Sequence, residues 1–563
     1  MAQPEPFRSQ APSPLASRPI IVPEARETVL ANGLTVMVVE DTRLPLVSYR
    51  LALKVGTAFD PPKLPGLTDL LAGLLPEGTE SRTSRQIADE VARMGASLNA
   101  GANSDYTIIA ASALSKFEEI LELLAEVVMQ PSFPEKEVEL AKQNTKESLR
   151  QQRAQPSFLA TEMVSRVMFG DHPYAVVAPT PESIDLSTRD HFVTFHKEKF
   201  APNNAVLIVV GNVKFEEMLR RIERLFSGWP KGDDITSAFP VPPVRSKREA
   251  YLVDRPSSAQ SNIVIANTGI KRTSPDYFPM LLMHTVLGAT ASSRLFMNLR
   301  EEKGYTYGAY SNLDARRSAG TFRTTAEVRT PVTGDSLKEF FLELDRIRTE
   351  PVSEKEIRDA KSYLTGVFPI RLETQEGMID QLVQIKMLDL PRDYLQTYRD
   401  KVQAVTIEDI QRVAQTYVQP DKAAVVVIGD GAQVTEQIKP YCEDIEVYTT
   451  AGKRKSNADP NVKLDIAGSW SINIETPLGQ TIPATLIVAR DDDGTTARIT
   501  SEMGDADLGA IDVRDDSFTA RTRLEMDGHS VDAEIFARFE GDQTQGSVTL
   551  QDSPPLPFDG TRN

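Results

Sequence analysis

EKEVELAK at 135–142 and EKEIRDAK at 354–361 are two versions of one segment, separated by 219 residues. A second pair, PNNAVLIVVGNV at 202–213 and PDKAAVVVIGDG at 420–431, is separated by 218 residues. Because two independent matches share nearly the same offset, the chain contains an internal repeat. The sequence therefore predicts two copies of one fold, one after the other.

The repeat sets the domain boundaries. We predict a first half at 24–238, a linker with three prolines at 239–247, and a second half at 248–446. Residues 1–23 are rich in Pro, Ser and Gln and have no apolar signal core, which predicts a disordered segment. This segment could be the mature end left after a signal is removed, so we expect a periplasmic or secreted protein, with a cytoplasmic one as the alternative.

Each half mixes strands and helices. ETVLANGLTVMVVED (27–41) reads as two strands around an Asn-Gly turn, and AVLIVVGN (205–212) reads as a short buried strand. SRQIADEVARMG (84–95) and FEEILELLAEVVMQ (117–130) have apolar residues at three- and four-residue spacing, which indicates helices. This predicts an α+β fold in which an antiparallel sheet is covered by helices.

The composition changes near the C-terminus, where no lysine follows Lys463. We predict a linker at 447–463 and then a small all-β sandwich or barrel domain at 464–563. The six expected strands in that domain are GSWSINIET, TIPATLIVAR, TTARITSEM, SFTARTRLEM, VDAEIFARFE and QGSVTLQD. Such a domain is either a binding or docking unit or a structural appendage, and the sequence leaves both open.

Composition and charge exclude several classes of function. The net charge of −17 argues against nucleic acid or an anionic membrane as the main partner. No apolar run is long enough to span a membrane. Cys442 is the only cysteine, so a disulfide within the chain is impossible, and its acidic sequence neighbours predict a raised thiol pKa.

Four motifs follow one another along the first half: GLTDLLAGLLPEGTESR (66–82), GASLNAGANSDYT (95–107), YAVVAPT (174–180) and APNNAVLIVVGNV (201–213). Together with the repeat, they resemble the pitrilysin family, whose members include insulysin and the mitochondrial processing peptidases. The resemblance covers about residues 24 to 446. It implies a two-half peptidase fold and a zinc site with an inverted H-x-x-E-H motif.

The five positions of that zinc motif read DLLAG here. Asp69 and Gly73 stand where the family has its two histidines, and Ala72 stands where it has the catalytic glutamate. Glu147 fits the position of the downstream glutamate ligand. Two carboxylates without an imidazole make a poor zinc site, and no general base remains. We therefore expect this chain to bind no metal and to have no catalytic residue of its own.

The remaining nucleophiles and imidazoles do not restore a site. We assign structural roles to all five histidines, which are His172, His191, His196, His284 and His529. The chain also has no Gly-x-Ser-x-Gly elbow and no phosphate-binding loop motif.

The second half retains SSRLFMNLREEKGYTYGAYSNL (292–313), which resembles the family's substrate-binding motif. The resemblance assigns Arg300 and Tyr307 to substrate binding and transition-state contacts. Both side chains can donate a hydrogen bond to a peptide carbonyl or its developing oxyanion. The other interpretation is an ordinary surface arginine and a packed tyrosine.

The resemblance implies a non-catalytic subunit of a heteromeric zinc metallopeptidase. A homologous partner subunit would hold the zinc, and this chain would contribute Arg300 and Tyr307 to the bound peptide. The alternative is a non-proteolytic scaffold or peptide-binding protein of the same fold, and an autonomous peptidase is the weakest of the three. The strand at 96–110 could pair with a peptide, although we expect it only to complete the sheet.

Overall fold

The computed structural model describes residues 22–236, 238–455, 466–476, 481–491, 494–501, 504–514, 517–526, 529–540, 543–550 and 555–563. These residues belong to two compact units, one that ends at Lys455 and one that follows it. Residues 1–21 of the predicted N-terminal segment 1–23 and residues 456–463 of the predicted linker 447–463 lie outside the described residues.

The first half forms a six-stranded sheet with helices. Its strands are β1 (Arg26–Val29), β2 (Thr35–Glu40), β3 (Leu46–Leu53), β4 (Ser97–Ala102), β5 (Thr107–Leu114) and β6 (Ala205–Gly211). Its helices are α1 (Leu67–Leu74), α2 (Ser84–Met94), α3 (Glu119–Met129), α4 (Glu135–Arg153), α5 (Pro156–Phe169), α6 (Pro181–Leu186), α7 (Arg189–Lys199) and α8 (Phe215–Phe226).

The second half repeats this layout. Its strands are β7 (Glu249–Asp254), β8 (Gln260–Thr268), β9 (Thr306–Ala315), β10 (Gly320–Arg329), β11 (Ala424–Gly429) and β12 (Ile445–Tyr448). Its α-helices are α9 (Tyr277–His284), α10 (Arg294–Phe296), α11 (Thr333–Thr349), α12 (Glu354–Glu373), α13 (Gln375–Met387), α14 (Tyr394–Ala404), α15 (Ile407–Tyr417) and α16 (Gly431–Ile438). Two π-helical turns, Thr285–Ala289 and Met297–Glu302, extend α9 and α10.

Strand order confirms that the halves are copies of one fold. The first sheet runs β1-β2-β6-β3-β5-β4 and the second runs β12-β7-β11-β8-β10-β9. Five strands of the two sheets correspond in the same order. The remaining edge position is occupied by β1, the first strand of the first half, and by β12, the last strand of the second half. The sheets are mixed rather than wholly antiparallel, because β2 runs parallel to β6 and β7 runs parallel to β11 and β12.

Local sequence signals explain several element boundaries. Gly33, with φ of +92°, makes the predicted Asn-Gly turn between β1 and β2. Thr83 caps α2 through a reciprocal pair of hydrogen bonds with Gln86, and the left-handed Gly95 ends that helix. Every residue of β6 is buried, which explains why its sequence is apolar without alternation.

Each half contributes a helix that covers one face of the other half's sheet. One face of the first sheet packs on its own helices, but the opposite face, with Met37 and Ile208, packs in a core with Met378 of α13. In return, α5 of the first half packs on β8 and β11, where Met163 shares a core with Val426. Neither half therefore buries both faces of its sheet by itself.

The C-terminal unit is a closed barrel of eight antiparallel strands, which confirms the predicted all-β domain. The strands are β13 (Gly468–Glu475), β14 (Thr481–Asp491), β15 (Gly494–Ser501), β16 (Gly504–Arg514), β17 (Ser517–Met526), β18 (His529–Glu540), β19 (Gln543–Leu550) and β20 (Leu556–Arg562). Strand β13 pairs with both β14 and β20, which closes the barrel. The rings of Trp470, Phe518 and Phe539 pack together inside it.

None of the helices in the described part of the chain combines the length and the hydropathy that a membrane span requires.

Candidate functional site

Helix α1, which carries the positions of the zinc motif, begins against a partly buried carboxylate. Asp60 accepts the backbone N–H of Gly66 at 2.7 Å and that of Thr68 at 2.9 Å. These bonds satisfy two of the backbone amides at the start of the helix. Burial nevertheless raises the pKa of Asp60 to about 6, and the nearby charge of Asp69 adds to this shift.

Asp69 and Gly73 lie on the exposed side of α1. One Asp69 oxygen accepts the backbone N–H of Ala102 at 3.4 Å, from the edge strand β4. Neighbouring protein groups partly desolvate the Asp69 carboxylate, and this desolvation raises its pKa. A side chain at Gly73 would meet nothing within 4 Å. Ala72 is 0% exposed, so the position of the family's catalytic glutamate faces the core.

Glu147 lies on α4, which packs against α1. Its carboxylate is exposed and contacts its own helix, with Arg150 Nη1 at 3.3 Å and Gln151 Nε2 at 3.5 Å. Across the described ranges, no cluster of three or more His, Cys, Asp and Glu side chains could hold a metal ion. The donor set of α1 and α4 therefore does not fit a zinc ion, which needs three protein ligands.

Four histidines occupy separate structural positions. His172 accepts the N–H of Tyr174 and faces Ser318, while His196 contacts the carbonyl of Val128. His191 caps the start of α7, and His284 pairs with the hydroxyl of Ser311 at 2.7 Å. The side chain of His529 lies outside the part of the chain that the structure describes.

Cys442 is buried, and burial raises the pKa of its thiol to about 11. The direction agrees with the sequence interpretation, but the cause given there was wrong. No acidic neighbour contributes to the shift, and the charges that act on the thiol are Arg248 and Arg245, which lower its pKa. The thiol is therefore a poor nucleophile near neutral pH.

Arg300 lies in the π-helical turn Met297–Glu302. Turns of this kind are rare and concentrate at functional sites, because they displace side chains from regular helical positions. The guanidinium is about half exposed, lies 4.7 Å from the ring centroid of Phe296 and pairs with Glu301 at 2.8 Å. The guanidinium is therefore held between the Phe296 ring and Glu301 and stays partly accessible to solvent.

Tyr307 lies on β9, the edge strand of the second sheet, at a β-bulge. Thr306 pairs with Val328 and Ala309 pairs with Ala326, so Tyr307 and Gly308 together oppose a single residue of β10. The Thr306 hydroxyl accepts the N–H of Gly308 at 3.1 Å and holds the bulge. Bulges redirect side chains, and the Tyr307 side chain is 91% exposed.

The exposure of Tyr307 argues against the interpretation as a packed tyrosine. Its hydroxyl makes no hydrogen bond to any residue that the structure describes, so both its donor and its acceptor are available to a ligand. Sequence reasoning missed the bulge and the π-helical turn. The only local signal was Gly308, since a glycine inside a strand often marks a bulge.

The edge strand β4 of the first half also has outward-facing backbone groups. Ala102 directs its N–H away from β5 and toward Asp69, so by strand alternation the backbone groups of Leu98 and Ala100 also point outward. Unpaired groups on an edge can form a ladder with an extended peptide.

Two family models match consecutive parts of the chain. The model described as insulinase, peptidase family M16, matches residues 35–180, and the model described as peptidase M16 inactive domain matches residues 187–364. Both lie within the unit that contains the two sheets.

Curated relatives cover the same region. An uncharacterised zinc protease of Streptomyces coelicolor is 24% identical over 400 residues, which is 69% of this chain and 86% of the relative. An uncharacterised zinc protease of Mycobacterium leprae is 25% identical over 394 residues, which is 69% of this chain and 88% of the relative.

Solved structures share the fold. A peptidase M16 inactive domain from Pseudomonas fluorescens is 27% identical, with a TM-score of 0.67, and the match covers 72% of this chain and 98% of that one. A protease from Helicobacter pylori, 20% identical, gives a TM-score of 0.68 over 72% of this chain and all of the other. These matches show that the chain belongs to peptidase family M16, the pitrilysin family, as a member whose helix α1 carries none of the zinc-motif histidines.

Proposed function

We propose that this chain is a non-catalytic subunit of a heteromeric zinc peptidase. A homologous partner subunit carries the zinc ion, and this chain presents Arg300 and Tyr307 to the peptide bound there. The main support for the proposal is that Tyr307 lies exposed on a β-bulge and that its hydroxyl makes no hydrogen bond to the described residues. In the same chain, the residues at the zinc-motif positions of α1 do not fit a zinc ion.

The chemistry of the two side chains suits that role. The Arg300 guanidinium carries a fixed positive charge, and the Tyr307 hydroxyl is a neutral donor. Both can donate hydrogen bonds to the scissile carbonyl oxygen as negative charge develops on it. Neither removes a proton from water, so the hydrolytic step itself depends on the partner.

The free edge of β4 supports a second candidate function, a scaffold that holds peptides without hydrolysis. Its outward backbone groups at Leu98 and Ala100 could pair with an extended peptide in this chain alone. In that case the chain would bind peptides in the absence of any partner, and Tyr307 would not affect a cleavage reaction.

The test is a mixing experiment with a homologous subunit that has an intact H-x-x-E-H motif, from the same source organism. Peptide cleavage is followed for the partner alone and for its complexes with wild-type, Tyr307→Phe and Tyr310→Phe chains. Tyr310 lies on the same strand and is partly exposed, and it is therefore the matched control.

We expect Tyr307→Phe to lower turnover by about 10²–10³, the typical loss for one oxyanion donor, while zinc content and complex formation stay unchanged. Tyr310→Phe should retain most of the activity. Full activity of the Tyr307→Phe complex, or of the partner alone, would exclude the shared site and leave the scaffold.

A further inference from the structure

A separate cavity of about 510 Å³ lies in the second half of the chain. It is bounded by the segment that leads into α9, the turn between α13 and α14, and the ends of α14 and α15. Its volume is in the range of small-molecule sites, which typically have apolar walls and a few polar groups. Neither the positions of the zinc motif nor Arg300 and Tyr307 line it.

The cavity contains a buried arginine without an acidic partner. Arg272 is 8% exposed, and its guanidinium carbon lies 3.6 Å from the ring centroid of Tyr277. Its Nη2 donates a hydrogen bond to the Tyr394 hydroxyl at 2.6 Å. Among the described residues, no carboxylate lies within ion-pair distance of it. Buried arginines are normally paired with an acidic group, so an anionic ligand would stabilise the buried charge of Arg272.

The rest of the cavity wall is apolar, with one further cation. Phe278 and Pro391 contribute apolar surface, and Val405 is buried beside them. Lys401 also lines the cavity, with its ammonium nitrogen 5.9 Å from the ring centroid of Phe278. Within the described ranges, Lys401 has no ion pair. The wall therefore combines two cations with aromatic and aliphatic surface.

Two acidic residues line the cavity as well, but other groups already engage them. Asp389 accepts from Lys54 Nζ at 2.7 Å and from Arg317 Nε at 3.2 Å. Asp409 accepts the N–H and the hydroxyl of Thr406 at the start of α15. Neither carboxylate lies within ion-pair distance of Arg272, so these two residues do not pair with its guanidinium.

Asp389 also fixes the shape of the turn that forms one wall. Its φ is +53°, at the left-handed position that ends α13 and that glycine usually occupies. The N–H of Leu390 bonds to the carbonyl of Ile385 at 2.9 Å, as expected for this type of helix end. Because Lys54 comes from the first half of the chain, contacts between the halves hold the wall in place.

We propose that this cavity is a binding site for a carboxylate carried on an apolar or aromatic body. The carboxylate pairs with Arg272, which can offer two parallel N–H donors, and Lys401 adds a second positive charge. The apolar body lies against Phe278, Pro391 and Val405. Both the C-terminal end of a peptide and a free organic acid have this chemistry.

The proposed site is distinct from the Tyr307 region. The N–H of Arg272 bonds to the carbonyl of Arg316 at 2.8 Å, just beyond the end of β9, whereas Tyr307 is the second residue of that strand. Nine residues at the rise of a β-strand separate them by roughly 30 Å. Binding in the cavity can therefore be tested without a partner subunit and without any cleavage reaction.

The experiment is calorimetric titration of the isolated full-length chain with three probes. They are the tripeptide acetyl-Ala-Ala-Phe with a free carboxylate, the same tripeptide as its C-terminal amide, and 3-phenylpropanoate. We expect the acid to bind at least about tenfold more tightly than the amide, because only the acid forms a charge-assisted pair with Arg272. A tripeptide acid that binds more tightly than 3-phenylpropanoate identifies a peptide end as the ligand, and equal affinities identify a free acid.

Three variants localise the binding. Arg272→Gln should reduce the affinity for the acid to that for the amide, and Ala404→Trp, which fills the cavity from its rim, should abolish both. Arg85→Gln removes one exposed positive charge far away in sequence, on α2, and should change nothing. Thermal melting shows whether each variant is folded, and Ala404→Trp tests the site without altering the buried arginine.

Equal affinities for the acid and the amide would overturn the proposal, as would a preference for the acid that survives both Arg272→Gln and Ala404→Trp. The failure of this site would leave the proposed role of Tyr307 untouched, because the two experiments share neither residues nor readout.

Discussion

Asp69 and Gly73 lie one helical turn apart on the exposed side of α1, and a Cβ atom added at Gly73 would have no neighbouring atom within 4 Å outside its own helix backbone. These two positions thus have the i, i+4 spacing on one helix that a pair of histidine ligands requires, although neither side chain is an imidazole. The absence of imidazole side chains on α1, and not a break in the helix, therefore accounts for the missing zinc ligands at positions 69 and 73.

The first prediction is that two substitutions restore metal binding on α1. Asp69→His with Gly73→His places two imidazoles at i and i+4, where both can bind one ion. We expect this double variant to bind Zn²⁺ at least about tenfold more tightly than Gly73→His alone, because an imidazole at position 69 replaces a carboxylate and suits Zn²⁺ better. The wild-type chain should hold no stoichiometric zinc after dialysis, as measured by elemental analysis.

Equal zinc affinity of the single and double variants would show that positions 69 and 73 do not face the same open space. Restoring the catalytic glutamate is a different matter, because Ala72 is fully buried. A carboxylate at that position would have to enter the core or displace the helix.

The second prediction concerns a buried tyrosine where the two halves meet. The Tyr174 hydroxyl donates to Asp105 of the β4–β5 turn and accepts the N–H of Ser318, from the β9–β10 turn, at 3.3 Å. Tyr174→Phe leaves the Asp105 carboxylate without this donor. We expect a loss of about 1–3 kcal/mol in the free energy of unfolding.

Urea unfolding followed by tryptophan fluorescence measures this loss. The chain has two tryptophans, Trp229 in the first half and Trp470 in the barrel, so a Trp470→Phe background reports only on the larger unit. Tyr49→Phe is the matched control, since Tyr49 is buried but its hydroxyl makes no hydrogen bond within the described ranges. If both variants lose the same stability, the Tyr174 hydroxyl has no special role.

The third prediction is a pH dependence that comes from His284. Burial lowers the pKa of His284 from about 6.5 to about 4. The unfolded chain therefore takes up a proton at a higher pH than the folded chain does. The stability from neutral His284 is fully present above pH 6.5 and is lost as the pH falls from 6.5 toward 4.

The measurement compares wild-type and His284→Gln chains by urea unfolding at pH 7.5 and 5.5. The wild type should lose about 1 kcal/mol more than the variant over this interval. The difference between the two chains is the informative quantity, because burial raises the pKa of Asp60 to about 6 and gives the opposite pH dependence. Identical losses in the two chains would contradict the assignment.

The fourth prediction is that trypsin separates the barrel from the rest of the chain. The two compact units divide after Lys455, and Lys463 precedes the first barrel strand. The other trypsin sites in the last hundred residues are arginines, and each of them lies within a barrel strand. Brief digestion should release a fragment of about a hundred residues. Its circular dichroism should show β-structure with a cooperative melt, and an unfolded fragment would mean that the barrel depends on the larger unit.

Much of the fold was predictable because its signals are local. The repeat, the Asn-Gly turn and the helical periodicities each depend on a few neighbouring residues, and the structure confirms them. Two barrel strands were missed, β16 (Gly504–Arg514) and β20 (Leu556–Arg562). Both contain residues that disfavour strands, such as Gly509 and Pro557, and only pairing with neighbouring strands explains them.

The candidate site was predictable in composition but not in geometry. The sequence identified Arg300 and Tyr307 through their flanking motif, and this assignment stays a prediction. The bulge that exposes Tyr307 depends on how β9 pairs with β10. The register of that pairing cannot be predicted from the sequence of either strand alone. The cavity around Arg272 was missed for the same reason, since its walls come from segments more than a hundred residues apart.

The exchange of helices between the halves has a consequence for biosynthesis. The first sheet is complete when β6 ends at Gly211, but α13, which covers its second face, begins only at Gln375. At typical translation rates, the ribosome needs roughly 10–30 s to add the intervening residues. During that time the apolar face around Met37 and Ile208 has no partner from its own chain. A first sheet that folds before α13 is synthesised therefore exposes this apolar face and is prone to aggregate unless a chaperone covers it.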